Sequence, residues 1–316
     1  MQVLRVAAAI LLFGILLYLV DWRESATILL NADVGFVLYS FLMGMLGLVI
    51  SALRWHVLLA AQQVRISSWQ AISYYWIGAF FSNYLPSNIG GDVARAMLMR
   101  RTDRLAQVAA SIVAERVSGM FVLLLMVIAG LVYRPQYFDV GGLLQILWIA
   151  VAIMMSGAVL IMPLGPWMSG LLVHLTSRLP GLLAKILDKV RKLVDAMNRY
   201  RDKPGATALG VLIAVPFYAT LVLFHYFVLH AVGGDIPLLE VLMVAALVPL
   251  VSFLPISINA FGIAEGAFVL IYTQAGLSSE TALAGAVLHR LVLMFVSLFG
   301  GLFWLGDRQT PPVSSA

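Results

Sequence analysis

Gly78–Arg95 reads GAFFSNYLPSNIGGDVAR: an apolar approach, a Leu-Pro step, a glycine pair, then Asp92 and Arg95 three residues apart. A second stretch, Ser252–Phe268, reads SFLPISINAFGIAEGAF and keeps the same order of apolar approach, Leu-Pro, glycine and carboxylate. Proline lacks an N–H and disfavours helix at the residue before it, so Pro86 and Pro255 interrupt the helices that lead into them. Gly90, Gly91 and Gly262 permit sharp turns and close backbone approach. Each block therefore predicts a broken helix, restarting at Asp92 in one case and near Ile263 in the other.

The chain around these blocks suits hydrocarbon rather than water. It has 316 residues, 62% hydrophobic and 11% charged, with mean hydropathy +0.99. Soluble domains carry about 25% charged residues, enough to coat a wet surface. A spanning helix needs about 20 mainly apolar residues. Six stretches qualify: 3–20, 34–53, 106–132, 142–163, 206–231 and 281–305. Two shorter ones, 69–85 and 238–254, end in the Leu-Pro steps. Arg5 followed by Val6 to Val20 has the look of a signal peptide, but Asp21-Trp22-Arg23-Glu24 follows without a small-x-small site, so an uncleaved span is expected. The predicted class is an all-α polytopic membrane helix bundle, a single transmembrane domain over 1–316.

Charge placement sets the orientation. With the two short stretches folded as re-entrant hairpins, Arg23 and Arg134 fall outside and Arg95, Arg116 and Arg290 fall within the membrane. The other Lys and Arg residues, Arg54 and Arg65 included, fall on the side of the N-terminus. Lys and Arg favour the cytoplasm, so both termini are expected there, in the cytoplasmic (inner) membrane of the cell. The interval 165–203 places Lys185, Lys189 and Lys192 opposite Leu182, Ile186, Leu193 and Met197. That pattern suits an amphipathic helix at the cytoplasmic interface or a plain basic connector.

The two blocks belong to a longer internal similarity. Leu53–Ala60 reads LRWHVLLA and Phe224–Ala231 reads FHYFVLHA; Glu115-Arg116 and His289-Arg290 recur further on. Asp92 to Arg116 is 24 residues and Glu265 to Arg290 is 25. Two repeats are expected, about 1–133 and about 142–306, each with three crossings and a re-entrant hairpin. An odd number of crossings inverts the second repeat, and interrupted segments at matching positions point to a transport site near the midplane.

Intramembrane charge costs about 2.5–3.5 kcal/mol on insertion scales and is a functional hypothesis by default. The set is Asp92, Arg95, Glu115, Arg116, Glu265 and Arg290. Asp92 and Arg95 suit a local i, i+3 ion pair, and Arg116 or Arg290 is expected to reach across to Glu265 or Asp92 near the pseudo-two-fold axis, whether as structural pairing between the halves or around a headgroup. Asn83, Pro86, Ser87, Asn88, Pro255, Ser257 and Asn259 line the broken segments, where irregular backbone at membrane depth needs protein or a polar cavity beside it. His289 is the candidate histidine; His56, His225 and His230 read as interfacial, and His174 lies in the polar interval. Trp55, Trp69, Tyr74, Tyr75 and Trp76 suit an aromatic belt, with Tyr84 as a cavity residue. The absence of Cys excludes disulfides and thiolate chemistry. No H-E-x-x-H or Walker A motif occurs, so no metal, cofactor or ATP hydrolysis is expected, and the basic residues flank apolar spans rather than forming a nucleic-acid surface.

Arg54-Trp55, Gly78–Arg95, Glu115-Arg116, Ser252–Phe268 and His289-Arg290 together resemble the flippase-like transmembrane family related to the membrane part of lysylphosphatidylglycerol synthase. The resemblance covers nearly the whole chain. It implies a lipid-translocating unit with the broken blocks at its centre. The chain stops at Ala316 with no soluble aminoacyltransferase domain, so lysyl transfer from tRNA is not expected. Three functions follow for test. The first is a flippase for an anionic phospholipid or lipid-linked headgroup, with carboxylates able to couple it to protons. The second is a headgroup-modifying enzyme using Glu115 with His289. The third is a scaffold that recruits lipid-synthesis enzymes through 165–203. Membrane lipids are the expected partners, and a homo-oligomer stays open.

Overall fold

The computed structural model describes residues 20–84, 90–100, 104–135, 169–175, 182–252 and 260–307, with Gly14, Tyr18 and Trp167. Among these the chain is all-helical, as expected. The elements are α1 (Trp22–Leu30), α2 (Val34–Ala61), α3 (Ser68–Tyr84), α4 (Gly90–Leu98), α5 (Leu105–Tyr133) and α6 (Leu182–Asn198). They continue with α7 (Pro204–Ala231), α8 (Leu238–Val244), α9 (Leu247–Ser252), α10 (Ile263–Gln274) and α11 (Ser279–Asp307).

Four helices, α2, α5, α7 and α11, are long and apolar enough to cross a membrane. They match four of the six predicted spans. The predicted span 142–163 and both Leu-Pro turns, with Pro86, Ser87, Asn88, Pro255, Ser257 and Asn259, lie outside the described residues, as does nearly all of 3–20. The two shorter stretches are α3 and the pair α8–α9, and the helices after them start at Gly90 and Ile263, within two residues of expectation. α2 runs on to Ala61 instead of stopping before Arg54. A single cation does not end an apolar helix when a buried carboxylate on another helix receives it.

α2 packs most extensively on α7, and the two run antiparallel. The Asp33 N–H at the start of α2 donates to the Ala231 carbonyl at the end of α7 over 2.8 Å. Midway, Gly47 lies beside Thr220 and Phe217, and further on Gly210 lies beside Leu58. At the far end Lys203 Nζ reaches the Ala61 carbonyl over 2.8 Å. In lipid, helix association rests on such close packing rather than on transfer of apolar surface from water.

Further contacts link the shorter helices to one another and to the long ones. α3 packs on α4 and α9 on α10; α4 touches α5 and α10 lies on α11; α3 lies along α11 and α8 against α5. Glycines set the closest approaches. Gly91 of α4 faces the Gly78 carbonyl of α3, and Gly300 of α11 faces the Trp76 carbonyl; a Cβ at either would overlap that oxygen. Gly262 has φ +81, a left-handed turn that glycine adopts readily, just ahead of α10.

α6 rests on the first turns of α5 and the end of α2, through a cluster of Leu58, Ala110, Ala196 and Tyr200 against Leu193 and Met197. Asp188 is held by Arg191 at 2.7 Å and Lys192 at 2.8 Å. Hydrogen bonds to those two cations push the partly exposed Asp188 carboxyl below its ordinary value.

Candidate functional site

Five charged side chains from three helices join in one chain in the first half. Arg54 of α2 donates to Glu115 of α5 over 3.4 Å, and Glu115 accepts from Arg95 of α4 over 2.8 Å. Arg95 turns its other nitrogen to Asp92, one turn earlier on α4, at 2.6 Å. Asp92 in turn accepts from Arg116 of α5, whose Nε lies 2.8 Å from Oδ2. The Tyr75 hydroxyl of α3 donates to Glu115 over 2.7 Å. The Arg95 guanidinium lies over the Tyr75 and Trp55 rings, 4.5 and 5.0 Å from their centroids, and Trp55 is fixed by a 3.0 Å bond to Ser111.

Burial grades along this chain. Arg54, Arg95 and Glu115 are buried, whereas Asp92 is partly open and the Arg116 side chain is 43% exposed. Three cations and two carboxylates leave the cluster one positive charge in excess, with the exposed cation at its edge. Planar guanidinium forks suit the oxygens of a phosphate or carboxylate.

The second half carries a smaller pair. Glu265, buried on α10, pairs with Arg290 of α11. Its other oxygen accepts from the Gly262 N–H over 2.7 Å, so it both caps α10 and receives the arginine. Arg290 also lies over the Phe261 ring at 5.2 Å. Beside it, His289 is enclosed by Phe224, His225 and Phe268, at 4.9, 4.9 and 5.6 Å between centroids.

Of the predicted site residues, the structure joins Asp92, Arg95, Glu115 and Arg116 in one cluster and Glu265, Arg290 and Gly262 in another. The ion pairs do not reach across between the halves as expected; they form within each half, Arg116 to Asp92 and Arg290 to Glu265, because each carboxylate lies on the helix just before the one that carries its arginine. Asn83 lies half-buried on α3; Gly90 opens α4. The sequence reading missed three members. Arg54 was assigned to a loop and is buried in the cluster. Tyr75 and Trp55 were assigned to a belt and hold the buried carboxylate and Arg95. His225 was read as interfacial, yet it is fully buried and bonded to Tyr272 over 2.6 Å. The available signal was the similarity of Leu53–Ala60 to Phe224–Ala231, which aligns Arg54 with His225.

The chain is 21% identical to a UPF0104 membrane protein of Pyrococcus horikoshii, over 97% of both chains. It is also 21% identical to one of Methanothermobacter thermautotrophicus, over 92% of this chain and 88% of that one. No solved structure matches. Residues 2–301 match the family described as the lysylphosphatidylglycerol synthase TM region. The arginine–carboxylate clusters at the two broken blocks thus sit in a multi-pass membrane protein that belongs to that family.

Proposed function

We propose that this protein moves an anionic phospholipid, or a lipid-linked headgroup of like charge, across the cytoplasmic membrane through a site between two inverted repeats. The observation that carries this reading is the matched pairing of Asp92 with Arg116 and Glu265 with Arg290. These positions correspond in the two halves, and in each half a carboxylate at the restart of a broken helix receives an arginine from the following long helix.

Further support comes from packing. α2 and α7 hold corresponding positions and run antiparallel, as inverted copies of an odd number of crossings require. Ala71 at the start of α3, Met99 just past α4 and Val108 of α5 share one cluster with Trp55. That arrangement favours a segment that enters and leaves on the same side. The headgroup meets the cationic edge at Arg116 and Arg290 while its tails stay in lipid. A headgroup transferase is disfavoured, because Glu115 is already committed to Arg54, Arg95 and Tyr75 and has no bond to His289.

The test is movement of fluorophore-labelled phosphatidylglycerol in liposomes holding the purified chain, read by quenching of the outer leaflet. Arg116→Ala and Arg290→Ala are expected to slow it at least about tenfold, the loss of one charge-assisted contact. A wild-type rate equal to that of protein-free vesicles overturns the proposal.

A further inference from the structure

At positions that align between the two similar stretches, the side chains differ in chemistry. Arg54 aligns with His225 and Glu115 with His289, each the residue before an arginine in the latter case. Arg54 and Glu115 form an ion pair at 3.4 Å; His225 and His289 stand edge to face with centroids 4.9 Å apart. Arg95, three residues after Asp92, ties the first cluster together. Phe268, three residues after Glu265, covers both imidazoles at 5.3 and 5.6 Å. Where the first half holds fixed charge, the second holds a pair of imidazoles.

We propose that His225 and His289 together are the proton-binding site that couples lipid movement to a proton gradient, an inference that rests on the transport reading above. The carboxylates of the two clusters are poor carriers for this purpose. Glu115 serves two arginines and Asp92 two, while Glu265 serves Arg290 and the Gly262 N–H. A proton on any of them breaks an ion pair in a largely enclosed site. Among the described residues, His225 and His289 hold no counter-ion. His225 Nδ1 is engaged with the Tyr272 hydroxyl, and its Nε2 is buried without a partner among the described residues.

The titratable and charged groups facing the pair are Tyr272 from α10 and Arg290 from α11; Phe224 and Phe268 close it with rings. From α5 and α8 the same core receives apolar side chains such as Leu123 and Val244. A proton shared by the imidazoles places a second cation beside Arg290. Repulsion between the two cations loosens Arg290 from Glu265, and the transport reading assigns Arg290 to the headgroup. The proton enters from water on one side and leaves to water on the other, with no bond made or broken in the lipid.

The experiment uses the full chain in liposomes, with labelled phosphatidylglycerol as the probe and an imposed pH gradient. One pH unit of gradient is worth about tenfold in the steady-state distribution of the probe between leaflets, at one proton per lipid and full coupling. The wild type is expected to respond toward that limit, and the double variant His225→Asn, His289→Asn to move the probe at the ungraded rate regardless of gradient. A wild type that moves the probe without responding to the gradient overturns the proposal, as does a double variant that keeps the wild-type response; transport itself then stands. A wild type that moves no probe at all removes the transport reading and this proposal with it. Should the double variant fail to fold, histidine-ring NMR of the wild type in nanodiscs decides. Two rings titrating as a coupled pair support the site, and rings that titrate independently overturn it.

Discussion

Arg95 on α4 and Glu115 on α5 meet at 2.8 Å with both side chains almost wholly enclosed, so the segment after the first break is tied to a long helix by a buried ion pair. Removing one partner of such a pair is far costlier than the pair's own net contribution, because the remaining charge stays buried and uncompensated. Glu115 also receives Arg54 and Tyr75, which makes it the member whose loss exposes most.

Glu115→Gln is therefore expected to destabilise the detergent-solubilised protein by about 3–5 kcal/mol. Tyr75→Phe removes one hydrogen bond to a charged group and costs about 1.5–3 kcal/mol. Denaturant unfolding of the purified variants measures both, with Glu115→Gln the larger.

Close approach at the glycines gives a second expectation. A Cβ at Gly91 meets the Gly78 carbonyl and the Ser82 hydroxyl, and one at Gly300 meets the Trp76 carbonyl; at Gly266 there is open space. Overpacking costs about 1–3 kcal/mol, and a backbone oxygen yields less easily than a side chain. Gly91→Ala and Gly300→Ala are expected to lower the melting temperature, and Gly266→Ala to leave it unchanged, in a parallel thermal scan.

Glu265 separates two roles by substitution. Gln keeps an oxygen for the Gly262 N–H but gives up the charge for Arg290, whereas Ala gives up both. Glu265→Ala is expected to be less stable than Glu265→Gln by about 1 kcal/mol, the worth of a helix cap. Equal stabilities of the two variants would show that the cap contributes nothing.

Tyr200, between α6 and α7, is 7% exposed and donates to the Leu58 carbonyl over 2.8 Å. Burial pushes its hydroxyl above the ordinary value, which is about 10 for tyrosine. A group whose folded value is raised lends stability below its unfolded value and loses it as pH climbs toward the folded one. Stability should thus decline above about pH 10, and less steeply in Tyr200→Phe, as read by unfolding across alkaline buffers. At neutral pH that variant loses about 0.5–1.5 kcal/mol with its hydrogen bond.

Hydropathy alone marked the helices α2, α5, α7 and α11, because each carries a long, mainly apolar run. The restart points at Gly90 and Ile263 were also legible, since proline and glycine act on the backbone locally. Local order also told that Asp92 and Arg95 share one helix face, a turn apart. Partner choice across helices was not legible. Arg54 read as a loop charge and Tyr75 as a belt residue because their roles depend on Glu115, 61 and 40 residues away. Only the packing of α2, α3, α4 and α5 around one carboxylate decides that these side chains are buried and shared, since ion pairing acts through space and depends on the enclosure that tertiary structure supplies.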